Sequence, residues 1–272
     1  MGMGINVDSV RAVTSRYLST QQDKGRQSFN KLASGLRIAQ ASDDASGLGI
    51  SERMRSQIRS MDVASRNTMD GIHLAKTAEG AMGEASETLG RMRELAVQAS
   101  NGTLSDSDQD ALDAQFQEMA EHLEFLGKST EFNGKKLLDG SSTGVEVQSG
   151  AESGETTSVA LTELSTASLG LDGVDISSTA GASDAIDVLD QAIADVSEAG
   201  GELGASVNSL GSTHRQLQQS SVQISNAESR IRDVDMAMEV AVLAKQEILA
   251  KGNVALLSQG SLKASNAKNL MG

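Results

Sequence analysis

The stretch that decides the fold spans residues 186–231 and reads IDVLDQAIADVSEAGGELGASVNSLGSTHRQLQQSSVQISNAESRI. Mostly apolar or small residues recur along it at alternating steps of three and four. This average period of 3.5 is typical of a helix that packs along one seam against another helix. The repeat therefore predicts a long helix with a helical partner. Its seam positions are Ile186, Leu189, Ile193, Val196, Gly200, Leu203, Val207, Leu210, His214, Leu217, Ser221, Ile224, Glu228 and Ile231.

A second repeat with similar spacing lies in residues 46–100 and predicts a helical rod of roughly 80 Å, at 1.5 Å per residue. Asn101-Gly102 ends it, and Ser105 to Asp108 can cap a further helix that continues to about Lys128. The chain must fold back for the two long repeats to bury their seams on each other. The seam positions of this repeat are Ile58, Met61, Ser65, Thr68, Ile72, Ala75, Ala78, Met82, Ala85, Leu89, Met92, Ala96 and Ala99.

Residues 133–182 between the two repeats are rich in Gly and Ser and begin with a run of turn residues. The runs VEVQSG (145–150) and TTSVALTEL (156–164) alternate in the manner of strands. We therefore expect a small β element with loops at the tip of the rod. Ser183 or Asp184 can cap the helix that follows. Gly200-Gly201 within that helix indicates a kink or a close helix contact.

The sequence thus predicts a mainly α fold, a long antiparallel coiled-coil rod with paired terminal helices and a small β element at the tip. The rod domain is residues 41–231, with the β and loop tip at about 133–182. Folding back brings residues 1–40 and 232–272 to the same end, where they form an inner domain of terminal helices. Between the first helix and the rod, Gly35 indicates a break, and Ser42, Asp43 and Asp44 offer capping oxygens.

The terminal segments carry too few apolar residues for a lone helix to bury much surface. They either pair with each other and with neighbouring copies or remain disordered. The residues that we expect to pack in the terminal helices are Val10, Val13, Tyr17, Leu18, Phe29, Leu32, Ile248, Leu249 and Leu256.

Composition and charge argue against several other functions. The chain has no Cys, and therefore no disulfide or thiolate metal site, and no Pro, which fits long uninterrupted helices. The net charge is −14, and residues 101–210 carry 21 acidic and 3 basic side chains, which argues against nucleic-acid binding. The three histidines lack metal spacing, so we expect no metal, no other cofactor, no small-molecule substrate and no enzyme activity. No secretory signal and no apolar run near the ~20 residues of a membrane span are visible.

Several motifs, in order along the chain, resemble those of bacterial flagellin. The resemblance covers roughly residues 1–140 and 185–260. The motifs that carry it are LASGLRIAQASDD (32–44), ASGLGISERMRSQIR (45–59), RNTMDGIHLAKTAEGAM (66–82), RMRELAVQASNGT (91–103), EFNGKKLLDG (131–140), AESRIRDVDMAMEV (227–240) and KQEILAKGNVALLSQ (245–259).

This resemblance implies a structural subunit that polymerises into the extracellular flagellar filament for motility. It implies export through the flagellar type III apparatus without a cleaved signal peptide. In the family the terminal helices form an inner tube and the long helices an outer one; the large hypervariable domains of many members are absent here. The implied partners are further copies of the chain, the filament cap, hook-associated proteins and an export chaperone at the C-terminal segment. Alternatives are a hook–filament junction protein of the same family and, from another class, a cytosolic coiled-coil adaptor.

Charged residues in two of these motifs are candidates for the interface between subunits, where partial burial would raise the cost of removing them. The alternative is that they form ordinary exposed ion pairs, each worth ~0–1 kcal/mol. The candidates are Arg53, Arg55, Arg59, Glu228, Arg230, Arg232 and Asp233.

The resemblance also implies a contact site for the animal innate receptor for flagellin. Arg91 and Leu95 match contact residues of members that the receptor detects. Gln115 stands where those members carry a key Glu. This departure leaves recognition by the receptor open.

Overall fold

A computed structural model describes the backbone of residues 2–271 and the side chains of residues 11–262. In that range the elements are helices α1 (Gly2–Ser34), α2 (Ala45–Ala99), α3 (Asp106–Ser129), α4 (Thr179–Arg232) and α5 (Met236–Met271), with short strands β1 (Glu131–Phe132), β2 (Lys135–Lys136), β3 (Gly144–Gln148) and β4 (Thr156–Ala160). The strands form two antiparallel pairs, β1–β2 and β3–β4. The predicted mainly α class is confirmed.

The chain divides into two compact units. Unit 1 comprises Met1–Ser56 and Gln223–Gly272, and unit 2 comprises Gln57–Val222. These bounds place the start of α2 and the end of α4 with the terminal helices, whereas the sequence suggested boundaries near residues 40 and 231. The hydrogen bonds that link residues 35–44 to the end of α4, described below, account for the larger terminal unit.

In unit 2, α2 and α4 run antiparallel and bury their predicted seams on each other. Ser65 Oγ lies 3.0 Å from Nδ1 of His214, and further along α2 the Nε of Arg93 donates to Asp190 at 2.6 Å. Residue numbers therefore rise on one helix as they fall on the other. Within unit 2 every seam position of both repeats is buried or half-buried. The predicted antiparallel coiled coil is confirmed, and His214 is a hydrogen-bonded seam residue.

Helix α3 begins at its predicted cap and starts beside the end of α2. Ser105 and Asp108 form a reciprocal capping box, in which each side chain accepts the backbone N–H of the other. The Nε2 of Gln109 donates to the carbonyl of Ala99 at 2.9 Å and lies 3.2 Å from the hydroxyl of Thr179. One buried amide thus ties together the end of α2, the first turn of α3 and the start of α4.

Residues 161–178 run back alongside α3 to reach α4 without forming a helix or strand. The N–H of Thr166 donates to Glu124 at 3.0 Å, and the N–H of Ile176 donates to Asp113 at 2.9 Å. Carboxylates of α3 therefore satisfy backbone donors that no strand partner serves. The leucines of this segment and Ile176 lie in the same buried cluster as α2, α3 and α4.

The β3–β4 hairpin has the predicted strands but a different position. A Cβ added to Gly71 on α2 would meet Val147 of β3 at 2.8 Å. The loop after β3 lines a groove with Met61 of α2 and Leu217 of α4. These residues lie toward the opposite end of unit 2 from Ala99, where α2 ends. The predicted location at the tip, within residues 133–182, is therefore corrected: alternation identifies strands, but contacts distant in sequence decide where they pack.

The start of α4 also differs from the expectation. The helix begins at Thr179, and the hydroxyl of Ser178 accepts the N–H of Gly181 at 3.1 Å. Ser183 and Asp184 consequently lie inside the helix, so the prediction that one of them caps it was wrong. Several serines precede this repeat, and the sequence alone did not rank them.

Helix α4 is continuous through Gly200 and Gly201. A Cβ added at either position would meet no described atom within 4 Å. No close helix contact among the described residues therefore explains these two glycines, and the prediction of such a contact was wrong.

We expect Gly200→Ala and Gly201→Ala each to raise the free energy of unfolding by about 0.5–1 kcal/mol, because Gly inside a helix is less stable than Ala by that amount. Urea unfolding of the monomer measures this change. Gly127→Ala is the matched control: its Cβ would overlap the carbonyl oxygen of Leu164, so this variant should lose stability. A loss of stability at Gly200 or Gly201 would contradict the open space seen there.

Candidate assembly surface

In unit 1, α1 and α5 lie side by side, and hydrogen bonds fix the chain where α1 ends and α5 begins. Gly35 adopts a φ of +72°, a conformation that favours glycine, and its carbonyl accepts the N–H of Val234 at 3.0 Å. The carbonyl of Arg232 accepts the N–H of Arg37 at 2.6 Å. Since α1 arrives at this point and α5 leaves from it, the two helices run antiparallel.

Two aspartates shape the connection between α1 and α2. Asp43 accepts the N–H groups of Ala39 and Gln40, and Asp44 accepts those of Ser46 and Gly47 at the start of α2. These backbone donors hold the pKa of both carboxyls below their ordinary value. Asp44 therefore caps α2 and Asp43 closes the preceding turn, in agreement with the predicted capping role.

Arg232 is the buried charge of unit 1. Its side chain is only 10% exposed, and its guanidinium donates to Oε1 of Glu52 at 2.5 Å, whose side chain is 48% exposed. Arg55 reaches the same oxygen at 3.4 Å from the solvent side. The guanidinium of Arg37 donates to the carbonyl of Ile231 on the same turn of α4. The start of α2, the end of α4 and the connection after α1 are thus joined by polar contacts.

The other charged residues predicted for the interface differ in exposure and in their contacts within the chain. Asp233 accepts a hydrogen bond from Ser229 at 2.6 Å, and Glu228 is half-buried. Arg53, Arg59 and Arg230 are exposed, and among the described side chains they form no ion pair. The structure therefore pairs Arg232 and Arg55 within the chain and leaves the other three arginines exposed.

The contact between α1 and α5 follows one seam on each helix. Most of the buried or half-buried residues recur at steps of three and four, the spacing of a coiled coil, and Lys31 and Val242 are half-buried beside this seam. A Cβ added to Gly25 would lie 3.9 Å from Oε1 of Gln246. The seam residues are Thr14, Leu18, Gln21, Gly25, Ser28 and Leu32 on α1, and Glu239, Leu243, Gln246, Ala250, Asn253 and Leu257 on α5.

Most of the residues predicted to pack in the terminal helices are exposed in the single chain. Leu18 and Leu32 lie in the seam, whereas Phe29 is 63% and Ile248 69% exposed. The side chain of Val10 lies outside the described residues. The exposed members of the predicted set are Val13, Tyr17, Phe29, Ile248, Leu249 and Leu256.

Sequence reasoning missed two parts of this surface. Further large apolar side chains of α5 are exposed, and the α1–α5 seam is lined largely by polar and small residues. The three-and-four spacing of polar residues on α1 indicates the seam, which the spacing of apolar residues alone does not reveal. The additional exposed residues are Met236, Met238, Val240, Val254 and Leu262.

Arg91 and Gln115, two of the three positions matched to the receptor site, line one groove between α2 and α3 in unit 2. Arg91 forms an exposed ion pair with Glu87 at 2.6 Å. Leu95 is half-buried and packs against the core of the unit. The structure thus brings Arg91 and Gln115 together, while Leu95 contributes to the packing of unit 2.

The described part of the chain has neither a metal-binding cluster nor a membrane-spanning helix. No cluster of three or more His, Asp or Glu side chains there could hold a metal ion. None of the described helices combines the length and apolar character needed to cross a bilayer.

Comparison with known proteins identifies two family regions. Residues 5–143 match the bacterial flagellin N-terminal helical region, and residues 186–264 match the bacterial flagellin C-terminal helical region. Flagellin from Halalkalibacterium halodurans is 45% identical over 248 residues, 90% of this chain and 91% of the relative. Flagellin from Bacillus subtilis is 36% identical and covers 99% of this chain over 100% of its own length.

Solved structures agree with this similarity. The crystal structure of Bacillus cereus flagellin superposes with a TM-score of 0.52 at 31% identity, over 56% of this chain and 88% of that one. A flagellar hook-associated protein from Vibrio parahaemolyticus superposes with a TM-score of 0.59 over 70% of this chain and 100% of its own. At 14% identity, this second likeness shows the fold alone.

Arg232→Ala should loosen the connection after α1, because it removes a buried charged hydrogen bond of a kind worth about 1.5–3 kcal/mol. We expect faster amide exchange at Arg37 and Ile38, whose N–H groups lie against the carbonyl of Arg232. Arg55→Ala is the control, since an exposed pair contributes ~0–1 kcal/mol. Equal effects of the two substitutions would show that burial of Arg232 does not matter.

The Asp44 cap should be lost in acid. Because its pKa is lowered in the folded state, its contribution is complete above the ordinary carboxyl value of about 4 and disappears as the pH falls through the lowered pKa. Asp44→Asn keeps an accepting oxygen without the titration. Exchange at the amides of Ser46 and Gly47, corrected for the intrinsic pH dependence, should rise in acid in the wild type only. A rise of the same size in the variant would exclude the cap as its cause.

Proposed function

This chain belongs to the bacterial flagellin family and is a structural subunit of the flagellar filament, outside the cell; from that premise we propose that its copies assemble through α1 and α5. The observation that supports this proposal is the exposure of large apolar side chains along both helices. Each such side chain is worth about 1.5–3 kcal/mol when buried. Neighbouring copies supply the surface that buries them.

Folding of the terminal helices is coupled to assembly in this proposal. Ordering a residue costs about 1–2 kcal/mol of backbone entropy. The α1–α5 seam, with its polar and small residues, returns little of that in a single chain. The remaining stabilisation comes from contacts of Phe29, Ile248 and their neighbours with identical subunits. Residues 1–40 and 232–272 then act as the inner domain and residues 41–231 as the outer one.

The exposed arginines give this assembly its register. Arg53, Arg59 and Arg230 are exposed without an ion pair among the described side chains, whereas Arg55, Arg232 and Asp233 have partners in the chain. In the proposal the three exposed arginines and Glu228 contact adjacent subunits. The others fix the local geometry of unit 1.

Export and further partners follow from the same premise. The subunit passes unfolded through the flagellar type III apparatus without a cleaved signal peptide, and an export chaperone binds the C-terminal segment. A chain with no Cys and no Pro supports threading, since it has no disulfide to break and no prolyl bond to isomerise. The filament cap and the hook-associated proteins are its partners at the filament ends. The chain has no catalytic activity of its own.

The two alternative functions and the receptor contact are supported to different extents. Family membership and close similarity to flagellins decide against a cytosolic adaptor. A junction protein would occur in few copies, so abundance in sheared filaments distinguishes it from the filament subunit. Contact with the animal receptor through Arg91 and Leu95, with Gln115 departing, stays a prediction of the resemblance.

The double variant Phe29→Ser/Ile248→Ser should lose seeded polymerisation, because it removes two large apolar side chains from the assembly surface. Phe125→Ser is the matched control: Phe125 is 65% exposed but lies on α3 in unit 2. Growth of filaments from preformed seeds, followed by light scattering, measures the effect. Normal growth of the double variant, or equal loss in the control, would contradict assembly through α1 and α5. Unchanged unfolding of unit 2 shows that neither variant acts by misfolding.

A further inference from the structure

Among the residues at the three-and-four positions of the α1–α5 seam, no large apolar residue stands level with another. Gly25 lies beside Gln246, which sets the antiparallel register, and the seam steps on α1 match those on α5 taken in reverse. Carrying this register along both helices gives six layers: Thr14 with Leu257, Leu18 with Asn253, Gln21 with Ala250, Gly25 with Gln246, Ser28 with Leu243, and Leu32 with Glu239.

This arrangement opposes pairing of the two helices. A coiled coil gains stability when apolar side chains from both helices meet in each layer, and a polar residue at such a position lowers stability. Here each leucine faces a polar side chain. In addition, Oε1 of Gln246 is buried without a hydrogen-bond partner, which carries its own desolvation penalty.

The α2–α4 seam in unit 2 shows the opposite arrangement. The Arg93–Asp190 and Ser65–His214 contacts fix its register. In that register Leu89 stands nearly level with Ile193, and Met92 nearly level with Leu189. Leu89, Met92 and Leu189 lie in one hydrophobic cluster, and Ile193 packs against it. The same chain therefore builds a matched apolar seam in one unit and a mismatched one in the other.

We propose that the polar residues of the α1–α5 seam, Asn253 and Gln246 foremost, act as a brake that prevents α1 and α5 from pairing in an isolated subunit. This inference rests on the proposed function and deepens it. Low apolar content alone would leave the termini weakly folded. The mismatch adds a specific device, since leucine in place of a few polar residues would give a conventional seam.

The brake also explains which side of each helix is apolar. If the large side chains faced the seam, the helices would pair before assembly and leave a polar exterior with little attraction for a neighbour. With mostly small and polar residues inside and most large apolar residues outside, pairing within the chain becomes favourable only when neighbouring copies cover the outer faces.

The test replaces two polar seam residues by leucine in the full chain. Asn253→Leu sets a leucine against Leu18, and Gln246→Leu removes the unpartnered carbonyl opposite Gly25. The readout is amide exchange of the dilute monomer, followed by mass spectrometry over residues 14–32 and 239–257. In this double variant we expect exchange in both segments to slow by roughly tenfold or more relative to wild type.

The control is Gln27→Leu/Asn226→Leu, which makes the same two kinds of substitution at exposed helical positions outside the seam, on α1 and α4. We expect it to exchange as fast as the wild type. Equal exchange in the seam variant and the control overturns the brake, as does slow exchange in both segments of the wild-type monomer. Neither result decides whether assembly uses the exposed faces, which the seeded growth of Phe29→Ser/Ile248→Ser tests separately.

Discussion

The two terminal helices place most of their large apolar side chains on the faces that do not meet each other. Tyr17, Phe29 and Ile248 are exposed, while Gln21, Ser28 and Gln246 lie in the contact. Burial of apolar surface is the main favourable term in folding, so most of this term is unavailable to unit 1 as a single chain. The distribution of a few side chains around two helices thus makes order in this unit depend on other molecules.

Unit 2, in contrast to unit 1, buries most of its large apolar side chains within one chain, although it too has few aromatic residues. It has almost no aromatic side chains to bury, apart from Phe116, yet its helices approach closely because alanine recurs in the α2 seam. Leucine and valine on α4 fill the space that those alanines leave. A seam of alternating small and large residues reaches high packing density without a thick core. Unit 2 is therefore stabilised by contacts within a single chain.

The sequence predicted regular features well and positions in space poorly. The 186–231 repeat, the Ser105 cap and the Asp44 cap follow from local spacing, which a helix converts directly into contact. The position of the β3–β4 hairpin depends on Val147 meeting Gly71, residues far apart in sequence. Likewise, Arg230 and Arg232 are chemically identical, but two residues of helical rotation place one in solvent and bury the other. Only the three-dimensional arrangement separates them.

In unit 1, apolar contacts stabilise the helices and polar contacts fix the path of the chain. This division of roles suits a subunit that is assembled after export. Apolar burial is strong but non-directional, so it can stabilise a helix without fixing its path. Directional contacts fix that path: Glu52 binds Arg232, and the carbonyls of Gly35 and Arg232 accept N–H groups across the chain reversal. These contacts are short-range in space and few in number, so they specify geometry without holding an isolated chain folded. The terminal helices of a subunit built this way can remain unfolded until neighbours arrive and then adopt one defined arrangement.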